Sequence, residues 1–187
     1  MQVDELIEGC RRGSKSHFSE LYDRFSPVMY SICLRYSGSA EEAEDILQEG
    51  FINVFMQLKT YDKAKGPFEG WLRKIFVHKA IDYLRKKTIP LNGYPVDLVD
   101  ENSLEEKEGL PIDLLPGELL EMVRSLPLGY RTVFNLHVVE EKSHKEIGEL
   151  LGISENTSKT QFMKARKTLR EKIKKRLPAP AQYRYGS

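Results

Sequence analysis

The stretch "EIGELLGISENTSKTQFMKAR", residues 146–166, decides how the rest of this 187-residue chain is read. Ser143 and Glu146 stand at capping-box spacing, in which a serine hydroxyl and a glutamate three residues later each accept a free backbone N–H at a helix start. Ile147, Leu150 and Leu151 follow at helical spacing, and Gly152 stands where a helix ends with least strain. Ser154 then opens a second helix in which Ser158, Phe162, Ala165 and Leu169 share one side. The small residues at 158 and 165 let a neighbouring helix come close, and Phe162 is expected to be the buried anchor. The opposite side carries Lys159, Thr160, Met163, Lys164 and Lys167.

A helix braced by a shorter one, with long polar side chains near its start, fits the DNA major groove, where base edges show distinguishable donors and acceptors. Nine basic residues and a single acid, Glu171, fall between Lys159 and Arg176. Such a concentration of positive charge on one helix selects a polyanion over the neutral surface of a typical protein partner. The N–H groups that open this helix, helped by Thr157, are expected to hold a phosphate. A helical hairpin stabilised by the same caps is the structural alternative, and the basic flank argues against it.

The net charge of +1 conceals three zones. Residues 1–87 hold fourteen bases and thirteen acids, 88–115 one base and seven acids, and 116–187 fourteen bases and eight acids. The acidic zone also contains Pro90, Pro95 and Pro111 without sustained periodicity, which predicts a flexible linker between a domain at 1–87 and one at 116–177. A disordered tail is expected over 178–187. Strand patterns are nearly absent, so the expected class is all-α, two small helical domains joined by an acidic tether.

In the first domain, helices are expected over about 3–12, around His17–Phe25, and from Ser26 to Gly38 with Pro27 at the first position. Another begins at Ser39, which caps it with Glu42 reaching back as a capping box, and Ala43, Ile46, Leu47, Phe51, Val54, Phe55 and Leu58 follow on one stripe. Asp45, Gln48 and Glu49 lie off that stripe. After Gly66-Pro67, Leu72, Phe76, Ala80 and Tyr83 form an apolar side, while Lys74, His78, Asp82 and Arg85 repeat the spacing on another face. The second domain is expected to hold helices at about 116–125, 127–140, 143–151 and 154–175.

Several function classes are excluded by what is missing. Cys10 and Cys33 have no CxxC, and the four histidines show no ligand spacing with them, so neither a disulfide framework nor a metal site is signalled. No motif calls for a cofactor, and no pocket motif accompanies the paired acids, so an enzyme is not expected. The start of the chain lacks a secretory pattern and no apolar run is long enough to span a bilayer, which predicts a cytoplasmic protein without membrane insertion.

Residues 126–173, "LPLGYRTVFNLHVVEEKSHKEIGELLGISENTSKTQFMKARKTLREKI", closely resemble region four of bacterial sigma factors of the extracytoplasmic-function (ECF) type, with its LP-x-x-x-R, S-x-x-E-I-A, L-G-I-S-x-G-T-V-K and R-A-R elements. Independently, "EEAEDILQEGFINVF" at 41–55 and "FEGWLRKIFVHKAIDYLRK" at 68–86 resemble sigma region two. The resemblance implies a protein that binds core RNA polymerase and directs it to promoter DNA. It also implies an anti-sigma partner.

By that resemblance Asp45, Gln48 and Glu49 meet the polymerase. Thr157, Lys159, Thr160, Met163, Lys164, Arg166 and Lys167 face the element about 35 bases upstream of the start. The loop "KTYDKAKGP" would take an extruded base of the minus-ten element, with Tyr61 as an aromatic wall, Lys63 and Lys65 beside it, and His78, Asp82, Lys74 and Arg85 along the neighbouring helix. The sequence departs from the family at His78 (usually Asn), Gly148 (commonly Ala), Asn156 (usually Gly) and Ser158 (usually Val). Asn156 is expected to tolerate unusual backbone angles and Ser158 to weaken packing. The alternative is a stand-alone helix-turn-helix regulator with an N-terminal sensor domain.

Overall fold

The computed structural model describes residues 2–86 and 116–176; the expected linker, 88–115, and the tail, 178–187, lie outside the described residues. The chain divides into an N-terminal and a C-terminal unit. Both are helical, with no strand among the described residues.

The N-terminal unit contains α1 (Val3–Arg11), α2 (Lys15–Tyr36), α3 (Ala40–Gln57) and α4 (Phe68–Lys86). Two 3-10 turns, Leu58–Thr60 and Lys63–Lys65, lie between α3 and α4. Its core is aliphatic and aromatic: Leu6, Leu21, Met29, Ile32, Tyr36, Ile46, Leu72 and Phe76 are all buried. Each such burial contributes roughly 1.5–3 kcal/mol before entropy is counted. Phe76 packs edge-on to Phe51 with ring centroids 5.2 Å apart, joining α4 to α3.

The first domain differs from the sequence expectation at Pro27. The two helices expected on either side of Ser26 are one helix, α2, with Pro27 inside it. Proline removes the N–H that would meet the Asp23 carbonyl and costs about 3 kcal/mol in a helix interior. Burial of Leu21 and Phe25 before the proline and Met29, Ile32, Cys33 and Tyr36 after it, all on one stripe, outweighs that cost. Gly38 is not a left-handed stop either. The helix ends at Tyr36, and the Gly38 N–H donates to the Glu42 carboxylate at 2.8 Å. Glu42 therefore reaches one residue further back than a capping box requires, while the Ser39 hydroxyl accepts from the Glu42 N–H at 3.3 Å. On α4 the apolar side continues through Ile81 and Leu84, with Tyr83 only half-buried.

The C-terminal unit contains α5 (Pro116–Arg124), α6 (Leu128–Phe134), α7 (His144–Leu151) and α8 (Glu155–Arg176). A five-residue π-helical turn, Asn135–Val139, extends α6 where a plain α-helix was expected. Met122, Val123, Leu126, Phe134, Ala165, Leu169 and Ile173 form one apolar cluster that seats α8. Arg131, the arginine of the LP-x-x-x-R element, is buried and donates to the Arg124 carbonyl at 2.9 Å, closing the end of α5. Among the described residues no helix is long and apolar enough to cross a membrane.

Candidate nucleic-acid interface

The expected capping box forms. The Ser143 N–H donates to the Glu146 carboxylate at 2.8 Å, and the Glu146 N–H donates to the Ser143 hydroxyl at 3.3 Å. The backbone N–H of Ser143 holds the Glu146 carboxyl below its ordinary range, since these bonds favour the ionised form. Gly152 ends α7 at φ +68°, a conformation that glycine adopts without a Cβ penalty. Gly148 is equally constrained, because a Cβ there would lie 2.8 Å from the Ile153 carbonyl oxygen. The turn thus packs against α7 so closely that an alanine at this position does not fit without movement.

Ser154 caps α8 by accepting the Thr157 N–H at 3.0 Å, and its hydroxyl is 2.8 Å from the Thr157 hydroxyl. Both polar groups of Thr157 expected to receive a phosphate are therefore engaged in the cap. Asn156 sits in regular helix, and the unusual backbone angle expected there is absent; among the described residues the positive φ at a non-glycine residue belongs to Glu141.

The inner side of α8 is more polar than its sequence suggests. Ser158 is fully buried, and its hydroxyl shares a 2.9 Å hydrogen bond with His144 Nδ1 on α7. Serine here replaces apolar packing with a specific cross-helix bond, so the weakening expected at this position is offset. His144 stacks on His137 with ring centroids 4.3 Å apart, and the edge of Phe162 closes the group. Phe162 is consequently half-buried, not the deep anchor expected; Leu169 and Ala165 fill that place. Burial, the neighbouring His137 and Lys159 together lower the pKa of His144, while Glu155 opposes them.

On the outer side Lys159 and Lys167 are exposed, and Thr160, Met163, Lys164 and Arg166 are half-buried. Lys159 pairs with Glu155 at 2.8 Å. Arg166 lies over the Phe162 ring at 5.8 Å. These contacts orient long side chains without burying their charge, which suits exchange for a phosphate or base edge.

In the N-terminal unit, Lys74, His78, Asp82 and Arg85 are all exposed along α4. Asp45, Gln48 and Glu49 are exposed on α3, although Glu49 is paired with Lys79 of α4, whose hydrogen bond chiefly lowers the Glu49 pKa. Ile52 and Met56 continue the same face of α3, 57 % and 76 % exposed. Gln48 borders a groove of about 410 Å³ with Tyr22, Tyr30 and Glu44.

The loop after α3 holds the clearest difference from expectation. Tyr61 is only 9 % exposed, packed edge-on to Phe68 and tilted against Trp71, and its hydroxyl donates to the Gly66 carbonyl at 3.1 Å. It supports the loop from within and does not present an open aromatic wall. Lys63 and Lys65 are exposed, with Lys63 held by Asp4 of α1. Arg11 was not singled out by its sequence context, because its partners in this loop lie about fifty residues away; it is among the best-connected side chains of the unit.

Comparison with known proteins agrees with this geometry. The profile of Sigma-70 region 2 matches residues 21–88, and that of Sigma-70, region 4 matches 117–169. "ECF RNA polymerase sigma factor SigW" of Bacillus subtilis is 30% identical over 186 residues, covering 93% of this chain and 98% of that protein. The chain belongs to the ECF sigma factor family. "ECF RNA polymerase sigma factor SigE" of Mycolicibacterium smegmatis is 31% identical, with 88% of this chain and 65% of that protein covered. Among solved structures, CnrH in complex with the cytosolic domain of CnrY is 18% identical, covering 92% of this chain and 97% of that one at a TM-score of 0.46. As an ECF sigma factor the chain is a transcription initiation factor that binds core RNA polymerase and promoter DNA.

Proposed function

We propose that this sigma factor works through three surfaces, each assigned to a partner by its chemistry. Asp45, Gln48 and Glu49 of α3 dock on a basic surface of core RNA polymerase. Lys63 and Lys65 of the 58–66 loop, with Lys74, His78, Asp82 and Arg85 of α4, receive the minus-ten element, and Tyr61 braces that loop internally. Lys159, Thr160, Met163 and Lys164 of α8 read the minus-thirty-five element, while Arg166 and Lys167 hold its backbone and Thr157 secures the cap beneath them.

The observation that carries this reading is the α3 face. An acidic and amide patch that runs directly into exposed Ile52 and Met56 suits a protein partner, since a merely solvated face would not display two large apolar side chains in line. A stand-alone regulator has no need of such a face beside its DNA-binding helices. Solvated acids alone would favour neither. We also place the protein in the cytoplasm, where polymerase acts, with an anti-sigma factor as its regulator and the 88–115 segment as the tether between its domains.

The test separates polymerase from DNA. Lys159→Ala with Lys164→Ala is expected to weaken use of minus-thirty-five-dependent promoters while leaving affinity for core polymerase unchanged. Asp45→Lys with Gln48→Ala is expected to do the reverse, reducing core affinity by on the order of tenfold or more, the scale of a lost charge pair at a protein interface. Loss of both activities in the first variant, with the fold intact, counts against the assignment of α8.

A further inference from the structure

The 58–66 loop is tied within itself by short-range bonds, among them the Tyr61 N–H to the Leu58 carbonyl at 3.3 Å and the Tyr61 hydroxyl to the Gly66 carbonyl at 3.1 Å. Its two 3-10 turns hold less firmly than an α-helix, so a partner from outside the loop adds to their order. The partner comes from α1. The Arg11 guanidinium donates from Nη2 to the Tyr61 carbonyl at 2.6 Å, and from Nε and Nη2 to the Leu58 carbonyl at 3.4 and 3.3 Å. Its remaining nitrogen, Nη1, is held by Glu8 at 2.7 Å, which orients the fork. The guanidinium side chain is 29% exposed, so these bonds are shielded from full competition by water. By contrast, the Lys63–Asp4 pair joins side chains 74% and 63% exposed and adds little rigidity.

We propose that Arg11 is a positioning residue for minus-ten recognition: by clamping both ends of the first 3-10 turn to α1, it holds the 58–66 loop in the shape that receives an extruded base. This rests on the assignment of that loop to the minus-ten element. The clamp acts through the two carbonyls, so Arg11 itself touches no DNA. Only a rigid loop distinguishes one base from another, because a loop that adjusts to every base spends the same contacts on right and wrong partners. Removing the clamp therefore reduces discrimination more than it reduces polymerase binding. A planar fork serves two carbonyls at once, which a single ammonium does not.

The full chain bound to core polymerase provides the test, with open-complex formation measured on duplex promoters carrying the preferred or a substituted minus-ten base. Arg11→Met is expected to reduce the preference for the correct base on the order of tenfold, as loss of a charge-assisted hydrogen bond does, with core affinity unchanged. Arg11→Lys is expected to fall between Arg11→Met and the wild type. Arg12→Met, an exposed neighbour with the same change of charge, is expected to behave as wild type. On a template already melted across the minus-ten element, opening is no longer required, yet the Arg11→Met deficit in base preference should persist.

Undiminished base preference in Arg11→Met overturns the proposal. Should that variant fail to fold, wild-type preference in Arg11→Lys overturns it instead. Combined Lys63→Ala and Lys65→Ala tests the loop assignment separately: if this variant keeps full minus-ten dependence, the assignment and the Arg11 proposal both fail. If it loses that dependence while Arg11→Met does not, only the Arg11 proposal fails.

Discussion

The two units present their candidate DNA-reading groups on opposite kinds of support. In the C-terminal unit they lie on one regular helix, α8, seated by polar as well as apolar packing through His144 and Ser158. In the N-terminal unit an apolar core carries α4, but Lys63 and Lys65 lie on an irregular loop held by Arg11 from another helix. The difference teaches that a periodic helix fixes its outer side chains by its own hydrogen bonds, whereas an irregular loop draws on bracing from outside. It also assigns distinct weaknesses: volume changes should damage the N-terminal unit, and turn geometry and acidification the C-terminal one.

The largest effect is expected at the apolar core. Phe76→Ala removes a fully buried ring that touches Phe51 and lies under Gly50, and should cost about 3–5 kcal/mol. Thermal unfolding of the full chain should show the N-terminal transition fall while the C-terminal one stays in place. A coincident fall of both would mean that the units do not unfold separately.

Next comes the turn. Gly148→Ala puts a Cβ against the Ile153 carbonyl, a backbone group that cannot swing aside, at a cost of about 1–3 kcal/mol. Duplex binding through the minus-thirty-five element should weaken in parallel, and unchanged stability would show that the turn relaxes freely. Ser143→Ala should cost about 1 kcal/mol by removing one half of the capping box, read as a smaller fall of the same transition.

The smallest effect is set by pH. His144 has a pKa lowered in the fold, principally by burial and then by His137 and Lys159, so its neutral form is the one the fold favours. The unfolded chain takes up a proton at about 6.5, before the folded form does. Stability of the C-terminal unit should therefore be complete above that value and decline as pH falls below it, until His144 is protonated in the fold as well. Unfolding scans between pH 7.5 and 5.5 should show this slope, and His144→Asn should flatten it. A slope of the opposite sign would place a proton on the stacked histidine pair.

Much of this was legible in the sequence wherever local chemistry decides the outcome. The S-x-x-E box at Ser143, the stop at Gly152 and the stripes of α3 and α8 depend on residues within one or two turns of each other, and they form as read except that Phe55 and Phe162 are only half-buried. The continuous α2 was not legible, because Pro27 is a local break signal overridden by burial along the whole helix. The interior position of Tyr61, the Arg11 clamp, the Glu49–Lys79 pair and the His144–Ser158 bond join residues remote in sequence. Periodicity carries no record of such contacts. The two units therefore differ in legibility as well as in support: the basic helix α8 was visible, and the bracing of the loop was not.

The most direct measurement is start-site mapping by run-off transcription with purified core RNA polymerase, with and without this chain, on templates in which the minus-ten and minus-thirty-five elements are altered one at a time. The account predicts that core alone shows no promoter choice, that adding the chain creates it, and that altering either element abolishes it. Initiation that is indifferent to the chain, or that ignores both elements when the chain is bound, would contradict the account.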